Sequence, residues 1–199
     1  MQQYYRADTK RGYQHMRVIS GSARGRKLKE PDGQNIRPTT DMVKESIFNI
    51  IQFDIEGRRV LDLFAGTGQL GIEALSRGAA AVVFVDASND AVKLVRDNIK
   101  VMGFDEKATV AREDALAFLG RGGGFDVIFL DPPYESNLIE KALKRIIEFD
   151  ILKENGIIIC ETKEDKPLPE PAVPYIRGRE YRYGKIKITL YTKTNRAEA

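Results

Sequence analysis

The run Asp131-Pro132-Pro133-Tyr134 follows directly on the apolar stretch FDVIFL. Its two prolines stiffen the turn and remove two backbone donors. The run therefore presents the Asp131 carboxylate, the Pro132 carbonyl and the Tyr134 ring, whose flat apolar face carries a polar tip. Such a set suits an exocyclic amino group on a nucleobase. The lone pair of that amine is delocalised into the ring, so it is a poor nucleophile. Two acceptors gripping its hydrogens favour tetrahedral nitrogen while the base stacks on the tyrosine. In-line transfer of a methyl group then depends on orientation and electrostatics more than on a strong base. The bland alternative is a surface turn after a buried strand.

A second motif stands upstream. In DLFAGTGQLG, residues 62–71, Gly66, Gly68 and Gly71 have the spacing G-x-G-x-x-G directly after the strand-like run RRVLDL. Glycines at a strand-to-helix junction permit a tight turn and a close approach of backbone to ligand. Asp86 ends the run AAVVFVD, 20 positions beyond Gly66, where a carboxylate meets the ribose hydroxyls of an adenosine-containing ligand. Asp114, in AREDAL, stands where it could accept a hydrogen bond from an adenine amino group, or could favour the first turn of the next helix instead. Asp62 is placed to hold the loop or a ligand ammonium. With Phe64, Ala65, Ala87 and Ala115 beside them, these residues form the expected cofactor site. The glycines and acids suit a nicotinamide dinucleotide and S-adenosylmethionine equally. The chemistry of DPPY selects the second.

The elements that must carry these motifs alternate. RRVLDL, AAVVFVD, residues 108–112, FDVIFLD and GIIICE read as strands. Helices are expected over about 41–52 with Thr40 as N-cap, over 69–77 ended by Gly78, and over SNDAVKLVRDNIKVMG capped by Ser88. In the last of these, Ala91, Leu94, Val95, Asn98 and Ile99 lie near one stripe. Two further helices are expected at 114–119 and 137–148. FDVIFLD is continuously apolar, as a central parallel strand should be. Runs at 173–181 and 185–192 read as a terminal antiparallel pair around Gly184. The expected class is a doubly wound, Rossmann-like α/β sheet, mostly parallel with a terminal antiparallel strand, preceded by a small basic arm or hairpin. The division is a tail at 1–15, the arm at 16–37, one catalytic domain at 38–193 and a tail at 194–199.

Composition agrees with a single domain, since 199 residues with 42% apolar content support one sizeable core but not comfortably two. No apolar run is long enough to cross a membrane, and MQQYYRADTKRGYQH has no apolar stretch behind its basic residues, so no secretory signal is expected. One histidine and one cysteine, Cys160, argue against a zinc or iron–sulfur site, and Cys160 is expected as a buried thiol in a reducing cytoplasm. A net charge of +3 says little, but its distribution says more. Arg17, Arg24, Arg26, Lys27 and Lys29 stand together without an acid, and Arg177, Arg179, Arg182, Lys185 and Lys187 surround only Glu180. Two such patches suit a polyanion, with solvated side chains as the bland reading.

Taken together, MRVISGSARGRKLKEP, RPTTDMVKESIFNII, VLDLFAGTGQLGIEALSRGA, FVDASNDAVKLVRDNI, FDVIFLDPPY and YRYGKIKITLY resemble the bacterial RsmD family of 16S ribosomal RNA guanine-N2 methyltransferases, from Met16 to about Lys193. The opening arm joined to RPTTD is the more specific part, because the central motifs are shared by many methyltransferases. The resemblance implies S-adenosylmethionine around Gly66, Gly68 and Asp86, with Asp114 as the acid after the third strand. Asp131, Pro132 and Tyr134 then form the catalytic motif. Asp86 is one methylene shorter than the family's frequent glutamate, and Asp131 stands where the family often has asparagine. It further implies that Arg37, Thr39 and Thr40 help close the site. Arg17, Arg24, Arg26, Lys27, Lys29, Arg37, Arg182 and Lys185 are the expected RNA contacts. The implied substrate is one guanine in a 16S rRNA loop, in an assembled or nearly assembled small subunit, and the implied state is a monomer. An RNA loop offers a splayed base at little unstacking cost. The rivals are a DNA adenine or cytosine amino-methyltransferase, a protein glutamine methyltransferase and a non-catalytic RNA-binding assembly factor. The chain leaves the first little room for a DNA-reading module, and the basic patches argue against the second.

Overall fold

The computed structural model describes residues 16–31, 41–133 and 137–194. The expected tail at 1–15, residues 37–40 with the Thr40 cap, Tyr134, and residues 195–199 lie outside the described residues. The elements run α1 (Asp41–Ile50), β1 (Arg59–Asp62), α2 (Gln69–Ser76), β2 (Ala81–Asp86), α3 (Asn89–Met102), a 3-10 turn (Asp105–Lys107), β3 (Ala108–Arg112), α4 (Ala115–Leu119), β4 (Phe125–Leu130), α5 (Leu138–Glu148), β5 (Leu152–Lys163), β6 (Tyr175–Tyr183) and β7 (Ile186–Lys193). They build one sheet of seven strands in the order β3-β2-β1-β4-β5-β7-β6. The first five strands are mutually parallel. β7 runs antiparallel to β5, and β6 antiparallel to β7.

Continuous apolar runs form the central strands because both faces of the sheet are covered. Val60, Val82, Phe84, Val127 and Phe129 pack on one side with α1, α2 and α3. Their chain neighbours Leu61, Val83, Val85, Ile128 and Leu130 pack on the other with α4 and α5. The strand period of two thus splits each run between two cores. Cys160 is fully buried in the second, and burial pushes its thiol pKa well up, so it behaves as a small hydrophobe.

Local signals set the helix ends. The Ser88 hydroxyl accepts from the Ala91 N–H at 3.3 Å and opens α3, which Gly103 closes in the left-handed region at φ 75°. The buried stripe of α3 is Val92, Val95, Asn98, Ile99 and Met102, so it is shifted from the expected one. Ala91 and Leu94 turn toward a crevice above the sheet instead. β5 is longer than GIIICE, because Leu152 already pairs with Phe125 before a register shift.

The arm is not a free appendage. Val18 N–H donates to Arg26 O at 2.9 Å and Leu28 N–H to Met16 O at 2.8 Å, closing a small hairpin around the bridge Arg17–Lys27. Met16, Val18, Ala23 and Leu28 are buried in the same core as α1, α2 and α3.

Close contact between α2 and β2 requires Gly71, since a Cβ there would meet Phe84 Cε1 at 2.2 Å and Val82 Cγ1 at 2.9 Å. Gly71→Ala is expected to destabilise the chain by about 1–3 kcal/mol through overpacking, read as a lowered melting midpoint. An unchanged midpoint would show that α2 does not need this approach.

Candidate active site

The C-terminal ends of the central strands open into a crevice of about 1230 Å³. It lies where the chain order reverses, with β2 and β3 on one side of β1 and β4 and β5 on the other. Doubly wound sheets bind ligands at such a switch point. Four neighbouring strands each bring a carboxylate to it: Asp86 after β2's apolar run, Asp62 at the end of β1, Asp131 just past β4 and Glu161 in β5. Asp62 is in register with Phe84 and Phe129, so Asp86 and Asp131 stand one pleat further out on either side of it. Leu130 pairs with Cys160, which places Asp131 and Glu161 at corresponding positions.

Asp62 is the deepest of the acids that sequence reasoning placed in the site. Its Oδ2 accepts the Gly71 N–H at 2.9 Å, joining the end of β1 to the first turn of α2. Burial pushes its pKa up to about 7, the Gly71 bond opposes this, and the nearby Asp86 adds to the rise. Asp86 holds the loop from outside, its Oδ2 accepting from Gly66 N–H at 2.9 Å and its Oδ1 from Ser88 N–H at 2.8 Å. A carboxylate oxygen has a second lone pair, so both remain able to accept from a diol. The two roles expected of Asp114 are compatible, since its Oδ1 caps α4 through Ala117 N–H at 2.9 Å while the residue also lines the crevice.

The glycines divide their work. Gly66 lines the crevice at φ 53°, and a Cβ there would meet only Phe64 O at 3.9 Å, projecting otherwise into open space. Gly68 and Gly71 do not line the crevice. A Cβ on Gly68 would press Val95 Cγ2 at 3.2 Å, and Gly71 sits against Phe84. Both positions are thus closely packed from within the protein, and their expected place in the cofactor site stays an expectation. Phe64, Ala65, Ala87 and Ala115 line the crevice as expected, with Leu94 from α3.

Asp131, Pro132 and Pro133 line the same crevice, which joins the acceptor turn to the glycine loop. Glu161 was missed by sequence reasoning, although it is buried with 3% of its surface exposed. The signal was present: GIIICE ends in an acid just as VLD, FVD and FLD do. Met16, Lys29, Glu30 and Pro31 were not expected here either, yet the arm supplies one wall of the crevice.

Several expected RNA contacts are tied to the body of the protein. Arg17 Nε donates to Asp41 at 3.0 Å, Lys29 Nζ to Asp97 at 2.9 Å, and Arg182 to Glu164 at 3.4 Å. Arg26 caps the end of α3, donating to Met102 O at 3.0 Å and also to Val101 O. Arg24, Lys27 and Lys185 are exposed. Lys187 of the second basic patch is buried, its ammonium donating to Lys166 O at 2.8 Å.

A family model described as Conserved hypothetical protein 95 matches residues 16–192. The ribosomal RNA small subunit methyltransferase D of Haemophilus influenzae is 41% identical over 160 residues, covering 78% of this chain and 83% of that protein. The chain belongs to the RsmD family. The Escherichia coli member is 32% identical, covering 94% of this chain and 95% of its own length. The Bacillus subtilis protein YlbH is 45% identical, covering 89% and 99%. The solved structure of yhhF from Escherichia coli superposes with a TM-score of 0.82 at 30% identity, over 91% of this chain and 99% of that one. This RsmD chain has the class I methyltransferase sheet, and among its described residues no helix is long and apolar enough to cross a membrane.

The raised pKa of Asp62 has a measurable sign. Its folded-state value, about 7, lies above its ordinary 3.8, so its contribution to stability is complete below pH 3.8 and is lost as pH rises toward 7. Asp62→Asn keeps an acceptor for Gly71 without a charge. Without added ligand, its melting midpoint should gain on the native chain between pH 4 and pH 8, by about 2–4 °C per kcal/mol of relieved desolvation. Parallel pH profiles for the two chains would show that Asp62 is not buried as a strained carboxylate.

Proposed function

We propose that this chain transfers a methyl group from S-adenosylmethionine to the exocyclic N2 of a guanine in small-subunit (16S) ribosomal RNA, within an assembled or nearly assembled particle. The observation that carries this reading is the shared crevice, in which Asp131-Pro132-Pro133 stands beside the glycine loop and Asp86. The family relationship supports the RNA and the guanine, since the row of acceptors alone suits any exocyclic amine.

The residues present fit the cofactor. The space beside Gly66 is one that a Cβ would enter, Asp86 keeps lone pairs for a ribose diol, and Asp114, just past the neighbouring strand β3, is assigned to an adenine amino group. Phe64, Leu94, Ala87 and Ala115 offer apolar contact. When bound, the cofactor supplies an electrophilic sulfonium methyl. The chain's own part is to hold and polarise the amine. The Asp131 carboxylate and the Pro132 carbonyl accept its two N–H bonds, drawing its lone pair out of conjugation and aiming it across the crevice. Pro132 and Pro133 bring no backbone N–H to compete for those acceptors. Asp131 is also the acceptor in place for the proton that the amine sheds. Tyr134, next in sequence, is assigned the stacking face for the base. Arg24, Lys27 and Lys185 supply exposed positive charge for phosphate, and Arg17, Arg26, Lys29, Arg37 and Arg182 are assigned to RNA contact with them.

The test uses methyl-labelled S-adenosylmethionine and small subunits from cells lacking this activity, followed by nucleoside mass spectrometry. Label is expected in N2-methylguanosine. Asp131→Ala should lower its rate of formation by about 10²–10³-fold while the variant still binds S-adenosylhomocysteine. Label in another nucleoside would replace the guanine, and no label in RNA from a competent particle would sink the reading.

A further inference from the structure

The arm and the glycine loop meet at one buried side chain. Asn98, in the middle of α3, is fully buried. Its Oδ1 accepts the Lys29 N–H at 2.7 Å, and its Nδ2 donates to Lys29 O at 3.2 Å and to Thr67 O at 3.1 Å. Lys29 belongs to the arm, and Thr67 lies between Gly66 and Gly68. One amide therefore pairs both backbone groups of an arm residue and a carbonyl of the loop, using every hydrogen it has. A second contact runs alongside, with Thr67 Oγ1 donating to Met16 Sδ at 3.8 Å.

The rest of the arm is fastened just beyond the loop, on α2. Glu73 is buried, and its carboxylate accepts Ile19 N–H at 2.7 Å and Ser20 N–H at 3.0 Å. Arg77 Nε donates to the same carboxylate at 2.8 Å, and Lys44, held at 4.0 Å from it, donates to Arg17 O at 2.6 Å. The arm passes so close to α2 that a Cβ on Gly21, at φ 82°, would fall 1.8 Å from Ser76 O. The arm is thus set by α2 and α3 together, and it reaches the loop through Asn98 and Met16.

We propose that Asn98 is a positioning residue that makes the shape of the cofactor loop depend on the docking of the basic arm. The loop's carbonyl at Thr67 has a fixed partner only while Lys29 holds the amide in its orientation. Released from the arm, the amide can turn, and the Thr67–Gly68 peptide keeps its N–H bond to Ala65 O at 2.6 Å but loses the bond that fixes its carbonyl. Gly66 and Gly68 on either side of Thr67 are at positive φ, so nothing in their own sterics restores that carbonyl. Coupling of this kind is reciprocal, so a ligand that fixes the loop must also tighten the arm. The inference rests on the reading of the crevice as the S-adenosylmethionine site.

The probe is S-adenosylhomocysteine, titrated into the native chain, Asn98→Ala and Gly21→Ala, with hydrogen exchange followed on the native chain. Asn98→Ala should weaken binding about tenfold, as loss of buried hydrogen bonds does. Its KM for S-adenosylmethionine should rise in step while kcat at saturation stays near native, whereas a merely structural lesion would lower the active fraction and leave KM unchanged. Gly21→Ala should weaken binding in the same sense, although Gly21 does not line the crevice. In the native chain, added S-adenosylhomocysteine should slow exchange at the arm amides of Lys29, Ile19 and Ser20, a readout independent of whether either variant folds. Native affinity in folded Asn98→Ala, or arm exchange indifferent to the ligand, would overturn this inference and leave the cofactor reading standing. A native chain that does not bind S-adenosylhomocysteine would overturn both.

Discussion

The hydrogen bond from Gly71 N–H to the buried Asp62 carboxylate, 2.9 Å long, is the constraint on which the site depends. It ties the last residue of β1 to the first turn of α2 and so fixes both ends of the loop between them. Gly71 makes the tie possible, because only a residue without a side chain lets α2 lie this close to Phe84. The cost is a carboxylate held out of water, visible as its pKa near 7. With the ends fixed, Asp86 grips Gly66 N–H and Ser88 N–H at the rim, and Asn98 holds Thr67 O behind it.

From that rim outward the sheet acts as a ruler. Parallel register places Asp62 between Asp86 and Asp131, and Glu161 beside Asp131, with the spacing of adjacent strands. The four acids along this edge have different settings: Asp62 and Glu161 are buried, Asp86 is bound by two amides, and Asp131 sits next to two prolines. On the proposed reading, a methyl acceptor and a methyl donor brought to this edge would meet acceptors carried by neighbouring strands of one rigid sheet.

The basic arm takes a double part. Its apolar residues Met16, Val18, Ala23 and Leu28 belong to the main core, and its backbone is bonded to α2 and α3. Several of its cations are used at home, Arg26 on the end of α3 and Lys29 on Asp97. A cation spent on a carboxylate or on helix carbonyls presents less net charge to a polyanion than a free one does. Charge counting along the chain therefore overstates the number of side chains available for direct contact.

Patterns local in the chain determined most of the fold and much of the site. Apolar runs named the strands, Ser88 marked the start of α3, and acids closing apolar runs placed Asp62, Asp86 and Asp131 at one edge. These are short-range facts of geometry, so the residues alone disclose them. Contacts distant in sequence were decided by the tertiary structure. Asn98 reads as one more position on a helical stripe, and only the approach of Lys29 and Thr67, 69 and 31 residues away, makes it a junction. Gly68 and Gly71 read as parts of a ligand loop, and only the neighbouring Val95 and Phe84 show that packing also requires a glycine at each. Glu161 becomes part of the site through pairing with β4, and the arm becomes a wall of the crevice through burial against α2 and α3. Long-range packing chooses among the roles that a residue's chemistry allows, and no local pattern carries that choice.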